Sequence, residues 1–429
     1  MKLPQTPKQT PADTKKAWEY AESHEVIDAV FKYNKKYLHW EELKYRDLPI
    51  DPLSVWILMK AFRKRDMKYL TFDTLELTYN LLDDFLEKLH FLDKSAAGNI
   101  SSGLDSLSRD RDPFIINSLM EEAIASSQIE GAAVTRKIAK QMLREKRKPI
   151  NKDERMILNN YLTMKHITHI KNEDLTPELI LKIHAMITRD TLEDSNDEGK
   201  FRDNNEIRVF DVRGNILHTP PDFTLIEELI EKFCNFANND DEEFIHPVIK
   251  GIILHYLIGY IHPFNDGNGR CARSIFYWYM LRKDYWLFEY MAVSRAIKDT
   301  KGQYKLAYQY TESDENDLTY FIRYNLTAVK SAVDTIQTYI GKKQREKKQT
   351  VSILQDSDGL NLRQAEIIKF LIKNPDKPIT IKEITETYRV AYGTARSDLL
   401  HLENKGLLSK QKAGKEYIFI FRGLGTKRD

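Results

Sequence analysis

The feature that most constrains this chain is a polar loop set between two apolar runs. Residues 248–261 are almost purely apolar, as are residues 274–281. Between them stands His262-Pro-Phe-Asn-Asp-Gly-Asn-Gly-Arg-Cys-Ala-Arg273. Apolar runs of that length beside a Gly-rich segment read as buried helices entering and leaving a site. The loop holds a base, a carboxylate, amides, two glycines and two arginines, each with a use on a nucleoside triphosphate. Gly267 and Gly269 let the backbone come close to a ligand and adopt positive φ. The helix that follows points its unpaired N–H groups and positive dipole end at an anion. Arg270 and Arg273, three apart, share a helix face and can grip two successive phosphates. Asp266 is a hard oxygen ligand suited to Mg²⁺, which needs only one or two carboxylates beside phosphate oxygens. His262 can accept a proton near neutral pH.

Every fixed position of that string matches H-P-F-x-[DE]-G-N-G-R-x-x-R, so the chain resembles the Fic-domain family, and the string is long enough to be specific. The resemblance implies a mainly α fold: a Fic-type helical core with a β-hairpin flap. It also implies an activity, transfer of AMP from ATP to a Ser, Thr or Tyr hydroxyl of a target protein, the chain itself included. His262 would be the base. Asp266 would hold Mg²⁺ or Mn²⁺. Gly267, Asn268 and Gly269 would cradle the anion, and Arg270 and Arg273 would steady the β- and γ-phosphates. Tyr304 falls where relatives place aromatics near adenine. Ser126-Ser-Gln-Ile-Glu-Gly131 matches the family's inhibitory pattern [ST]-x-x-x-E-[GN], which implies that Glu130 pairs with Arg273 and withholds it from the γ-phosphate. A bidentate carboxylate–guanidinium pair competes for the donors that a phosphate needs.

Residues 201–221 read as two extended arms about the turn at 211–215. They stand where Fic proteins carry the flap, so Ile207, Arg208, Val209 and Phe210 would hold a target segment by strand addition. Alternatives within the resemblance are another phosphorylated donor, de-adenylylation assisted by Glu130, or a DNA-binding regulator that uses the site as a nucleotide sensor.

Charge divides the chain. Residues 341–429 carry a net charge of +8 and the remainder −6, within a total of +2 over 429 residues. A basic tail on an acidic body suggests a nucleic-acid-facing module. The tail reads as helix, capping box at Thr380 and Glu383, helix, a third helix stopped by Gly406, then two strands. That order resembles a winged helix-turn-helix domain, whose third helix would offer Thr394, Arg396 and Ser397 to DNA, or to a protein partner. The expected division is therefore 1–110, an N-terminal helical region; 111–340, the core, with the inhibitory helix at 113–131; 341–360, a charged linker; and 361–429, the winged helix.

Within the first region, residues 1–16 read as disordered or draped over the surface, 16–92 as helical, and 94–110 as a loop. His184, His246 and His255 lie on helical patterns without metal-ligand spacing and read as ordinary histidines. Two cysteines, Cys234 and Cys271, form no disulfide framework. The N-terminus lacks a signal peptide's apolar stretch, and the run 251–261 is too short to span a bilayer. The expectation is a cytoplasmic protein without a membrane partner, with a homodimer left open.

Overall fold

A computed structural model describes residues 3–72, 75–97, 111–211, 213–239, 243–356, 359–374, 377–413 and 416–422. The chain forms two compact units, Met1–Ile336 and Gln337–Asp429. The first opens with α1 (Pro11–Glu19), α2 (His24–Lys35), α3 (Trp40–Leu43) and α4 (Pro52–Arg65), then β1 (Lys68–Phe72), β2 (Leu75–Tyr79) and α5 (Asp83–Leu92). It continues with α6 (Arg111–Ile129), α7 (Arg136–Glu145), α8 (Lys152–Ile170), α9 (Pro177–Thr188), β3 (Val209–Phe210), β4 (Ile216–His218) and α10 (Ile226–Asn238). The last helices are α11 (Pro247–Ile261), α12 (Asn268–Arg282), α13 (Val293–Asp299), α14 (Lys301–Ser313) and α15 (Thr319–Asp356), which runs into the second unit. The fold is mainly α, as expected.

The core is built on α11 and α12. Nearly every side chain of both is buried, on all sides. A helix that is apolar all round has no face to give to water and takes the centre of the bundle. The neighbours α6, α8, α9 and α10 each bury one face against this pair.

Three stretches differ from expectation. Residues 11–16, read as disordered or draped over the surface, lie in a regular helix, α1, which begins with a reciprocal capping box between Thr10 and Asp13. Residues 68–79, read as helical, form an antiparallel hairpin with Lys68 opposite Tyr79 and Phe72 opposite Leu75. Its Tyr-Leu-Thr-Phe and Leu-Thr-Tyr runs are β-branched and aromatic, which fits a pleated surface better than a helix. Of the stretch taken as a linker, residues 341–356 continue α15. Lys, Gln, Arg and Glu are good helix formers, and beyond Gly341 no Gly or Pro interrupts them before Gly359. Most of the loop expected at 94–110 lies outside the described residues; Asp93–Ala97 forms a π-helical turn.

The N-terminal helices grip the junction of α14 and α15. Lys60 Nζ pairs with Asp314 at 2.8 Å, and Arg63 donates to the Tyr320 hydroxyl, which donates to Asp314. Tyr37 donates to Asp317 at 2.7 Å, and His39 stacks on Tyr310 with ring centroids 4.0 Å apart. Buried charges persist where their partners are this complete.

The second unit comprises α16 (Leu362–Lys373), β5 (Ile379–Thr380), α17 (Ile381–Tyr388), α18 (Tyr392–Asn404), β6 (Leu408–Ala413) and β7 (Glu416–Phe421). Three helices pack on a sheet of order β5-β7-β6 around Ile368, Leu371, Leu399, Leu402 and Phe419. The capping box at Thr380 and Glu383 is present. The Gly414 turn between the wing strands lies outside the described residues.

Candidate active site

His262 ends α11 in the left-handed region, at φ 49°, its N–H donating to the Ile258 carbonyl. A non-glycine residue there costs roughly 1–2 kcal/mol, so its surroundings must hold it. Its Nδ1–H donates to the Gly259 carbonyl at 3.2 Å, which leaves Nε2 as the free, lone-pair-bearing nitrogen. Burial lowers the imidazole pKa to about 4, against the Gly259 bond, with the Arg202 guanidinium adding to the lowering. At neutral pH the ring is uncharged and ready to take a proton.

The loop beyond it is clamped from several sides. Asn268 accepts from the Phe264 N–H and donates to the Phe264 carbonyl, so its amide holds the loop closed. His184, read as an ordinary histidine, stacks on Phe264 at 3.7 Å, bonds the Asp266 carbonyl through Nε2 and accepts from the Gly199 N–H. Gly267, at φ 88°, caps α12, and a Cβ there would meet Thr188 at 2.8 Å and His184 at 3.2 Å. Asp266 is 62% exposed, with Oδ2 3.9 Å from Arg270 and Oδ1 accepting from the Gly267 N–H. Arg270 is buried and donates to the Ile187 carbonyl.

Arg273 is 3% exposed at the side chain. Its Nε donates to the Ser126 hydroxyl (2.9 Å) and its Nη2 to the Ser126 carbonyl (3.0 Å) and Glu130 Oε1 (2.7 Å). Nη1 is buried without a hydrogen-bond partner. The pair with Glu130 is thus one-point rather than bidentate: Ser126 takes the Nε and Nη2 edge, Glu130 takes Nη2 alone, and Nη1 is left over. Burial pushes the Glu130 carboxyl upward, but the charge and bond of Arg273, with Arg270 and Lys301 behind them, hold it below its usual range. Glu130 keeps 32% of its side chain accessible, so the pair is partly screened. Its Oε1 lies 2.3 Å from where a Cβ on Gly269 would stand, so the carboxylate sits on the N-terminal turn of α12. That is where an anion belongs.

One cavity of about 190 Å³ brings together Glu130, His262, Asn268, Gly269, Arg273 and Tyr304, with Val209 and Phe210 of the flap on its wall. Gly267, Asp266 and Arg270 are not on that wall. The Tyr304 hydroxyl bonds His255 Nε2 at 2.8 Å. Among the described residues of the flap, Val209–Phe210 and Ile216–His218 pair as strands, while Ile207 and Arg208 precede the pairing. The stretch 304–308, read as the place of aromatics near adenine, puts Lys305 and Tyr308 on the cavity wall beside Tyr304, while sequence reasoning missed Gln309 and Glu312 one turn further on, and Leu217, His218 and Gly259. Gln309 and Glu312 stand five and eight residues after Tyr304, on the stripe it shares with Lys305 and Tyr308, and that helical spacing is the signal that could have found them. Ser126, quoted only as part of a pattern, proves to be the partner of Arg273.

Residues 174–280 match the Fic/DOC family and residues 363–419 the DeoR-like helix-turn-helix domain. The chain carries a Fic domain. Among named relatives, the protein adenylyltransferase Fic of Nematostella vectensis is 25% identical over 322 residues, covering 74% of this chain and 65% of that protein. The one of Drosophila melanogaster is 33% identical over 131 residues, or 30% of this chain and 25% of that protein. The chain thus spans less than two thirds of either. A Fic family protein of Desulfovibrio desulfuricans G20 shares the fold, with a TM-score of 0.54 at 18% identity, covering 80% of this chain and 96% of that one. Among the described residues no helix is long and apolar enough to cross a membrane. Cys234 and Cys271 are buried free thiols, and burial pushes the thiol of Cys271, in the Fic loop, up to about 12.

Four histidines of the first unit make its stability sensitive to acid. Burial lowers His39, His184 and His262 to about 4 and His255 to about 3. An unfolded chain takes up these protons near pH 6.5, the native one only near 3–4, so the stabilisation is complete above 6.5 and is lost as pH falls toward 4. Glu122 and Asp317, whose carboxyls burial raises, work in the opposite direction but are fewer. Thermal melts should give a lower midpoint at pH 5 than at pH 7.5, and an equal or higher midpoint at pH 5 would contradict the assignment.

Proposed function

We propose that the chain is an autoinhibited protein adenylyltransferase. The observation that carries this reading is the buried guanidinium of Arg273, with one nitrogen lacking a hydrogen-bond partner and another held by Glu130, on the wall of the cavity that contains His262. A cation with donors left over beside a helix N-terminus and a neutral base suits a polyphosphate and a hydroxyl.

When Glu130 withdraws, Arg273 would grip the β- or γ-phosphate, and the N–H groups of Gly269 and its neighbours would receive phosphate oxygens. His262 Nε2 would take the proton of the target hydroxyl as that oxygen attacks the α-phosphorus. The bond from the α-phosphorus to the bridging oxygen would break, and pyrophosphate would leave. Arg270 would support the loop through its bond to Ile187 and add positive charge beneath it. Tyr304 would form part of the nucleoside end of the cavity. Catalysis of this kind rests on positioning and charge neutralisation. Asp266 has the exposed, hard oxygen that Mg²⁺ or Mn²⁺ accepts, and such an ion would neutralise phosphate charge there. Ile207, Arg208, Val209 and Phe210 would receive an extended segment of the target.

The second unit would direct this activity by contact with DNA. Thr394, Arg396 and Ser397 are exposed on α18, the third helix of its fold.

ATP labelled on the α-phosphate should leave label on protein, whereas ATP labelled on the γ-phosphate should not. Transfer of γ-label alone would make the activity a phosphotransfer.

A further inference from the structure

Both arms of the flap end on the backbone that carries His262. On the first arm, Arg202 donates from its backbone N–H to the Pro263 carbonyl (2.9 Å) and from Nε to the His262 carbonyl (3.0 Å). Its Nη2 bonds the Pro221 carbonyl and so ties that arm to the second. On the second arm, His218 donates from Nε2 to the Tyr260 carbonyl (2.7 Å), and its Nδ1 faces Glu312 Oε2 of α14 (2.8 Å). The His218 ring lies 6.5 Å from the His262 ring. The three carbonyls flank the left-handed turn that ends α11, where the helix's unpaired carbonyls and negative dipole end lie. A guanidinium meets them from one side. From the other comes an imidazole set between two acceptors, which a ring bearing both protons satisfies in full.

We infer that the flap is a brace for the base as well as an edge for the target, and that His218 and Arg202 are positioning residues that hold His262 in its left-handed turn. Nothing else in the chain satisfies the Tyr260 and His262 carbonyls among the bonds described. Glu312, on the cavity wall, joins the brace to the helix that also carries Tyr304 and Tyr308. Occupancy of the flap edge and orientation of the base are then one mechanical unit. A target strand that straightens β3 and β4 pulls on the residues that aim His262. The inference rests on His262 acting as the base.

The test uses the full chain in the Glu130→Gly background, with His218→Leu, His218→Gln and Glu312→Gln added singly. Three quantities are read: ATP affinity, the self-labelling rate at saturating ATP, and the ¹⁵N imidazole signals of His262, assigned with His262→Ala. With His218→Leu the saturating rate should fall about tenfold or more and the His262 signals should move, while ATP affinity stays within about twofold. His218→Gln, whose amide can still donate to the Tyr260 carbonyl, should recover part of both. Unmoved His262 signals with an unchanged rate would overturn the brace, as would a loss confined to ATP affinity. Should His218→Leu fail to fold, Glu312→Gln decides by the same signals, since it alters only the far partner of the ring. A parent that labels nothing defeats the AMP-transfer reading alone, because the imidazole signals judge the brace without turnover.

Discussion

Glu130→Gly is expected to raise protein labelling from α-labelled ATP roughly ten- to a hundredfold. A hydrogen bond to a charged group is worth ~1.5–3 kcal/mol, and each ~1.4 kcal/mol is a factor of ten in rate. The pair with Arg273 sits at the modest end of that range because it is one-point and Glu130 is partly open to solvent. Removing the carboxylate does two things. It frees Nη2 to join the unpartnered Nη1, and it clears the N-terminal turn of α12, where Glu130 now stands over Gly269. ATP affinity should rise together with rate. Label that stays at the wild-type level, with ATP bound no more tightly, would leave autoinhibition by Glu130 without support.

His262→Ala, placed on that activated background, should lower the labelling rate by about 10²–10⁴-fold, the contribution typical of a positioned general base. ATP binding should persist, because the guanidinium and the helix N-terminus remain. The neutral state of the wild-type ring also shapes the pH profile. With its pKa held near 4 by burial, His262 is unprotonated through the neutral range, so its own titration should not cause a fall in rate until the medium is clearly acidic. A double variant that labels as fast as its parent would remove His262 from the mechanism.

Much of the central site is legible in the sequence. The two apolar runs could only be buried helices, and the glycines and charges between them had to turn inside the bundle; α11 and α12 follow directly. Glu130 and Arg273 were paired by pattern, 143 residues apart, and the geometry places them at 2.7 Å. What could not be read were contacts made by ordinary residue types across long separations. Nothing in the local sequence of His184 says that it will stack on Phe264, eighty residues away. Asn268 looked like a ligand donor, yet its amide is spent on the Phe264 backbone. The hairpin at β1 and β2 was hidden inside a charged, aromatic stretch whose helical neighbours set the expectation. The charged stretch at 342–348 admits two readings, a linker by charge or a helix end by propensity, and here propensity decides.

One contact of α6 has a consequence for how such a chain could be switched on. Ser126 holds Arg273 by two bonds, through its hydroxyl and its carbonyl, that do not involve Glu130 at all. If Glu130 inhibits as proposed, the helix that leads to it would also aim the arginine it restrains. On the proposed reading, activation would be a local retreat of the last turn, from Ser127 onward, with Ser126 left in place. A signal that tore the whole helix away would uncage the arginine and disarm it in the same motion. Such a helix works as a safety catch mounted on the trigger, and only a small movement at its tip is productive.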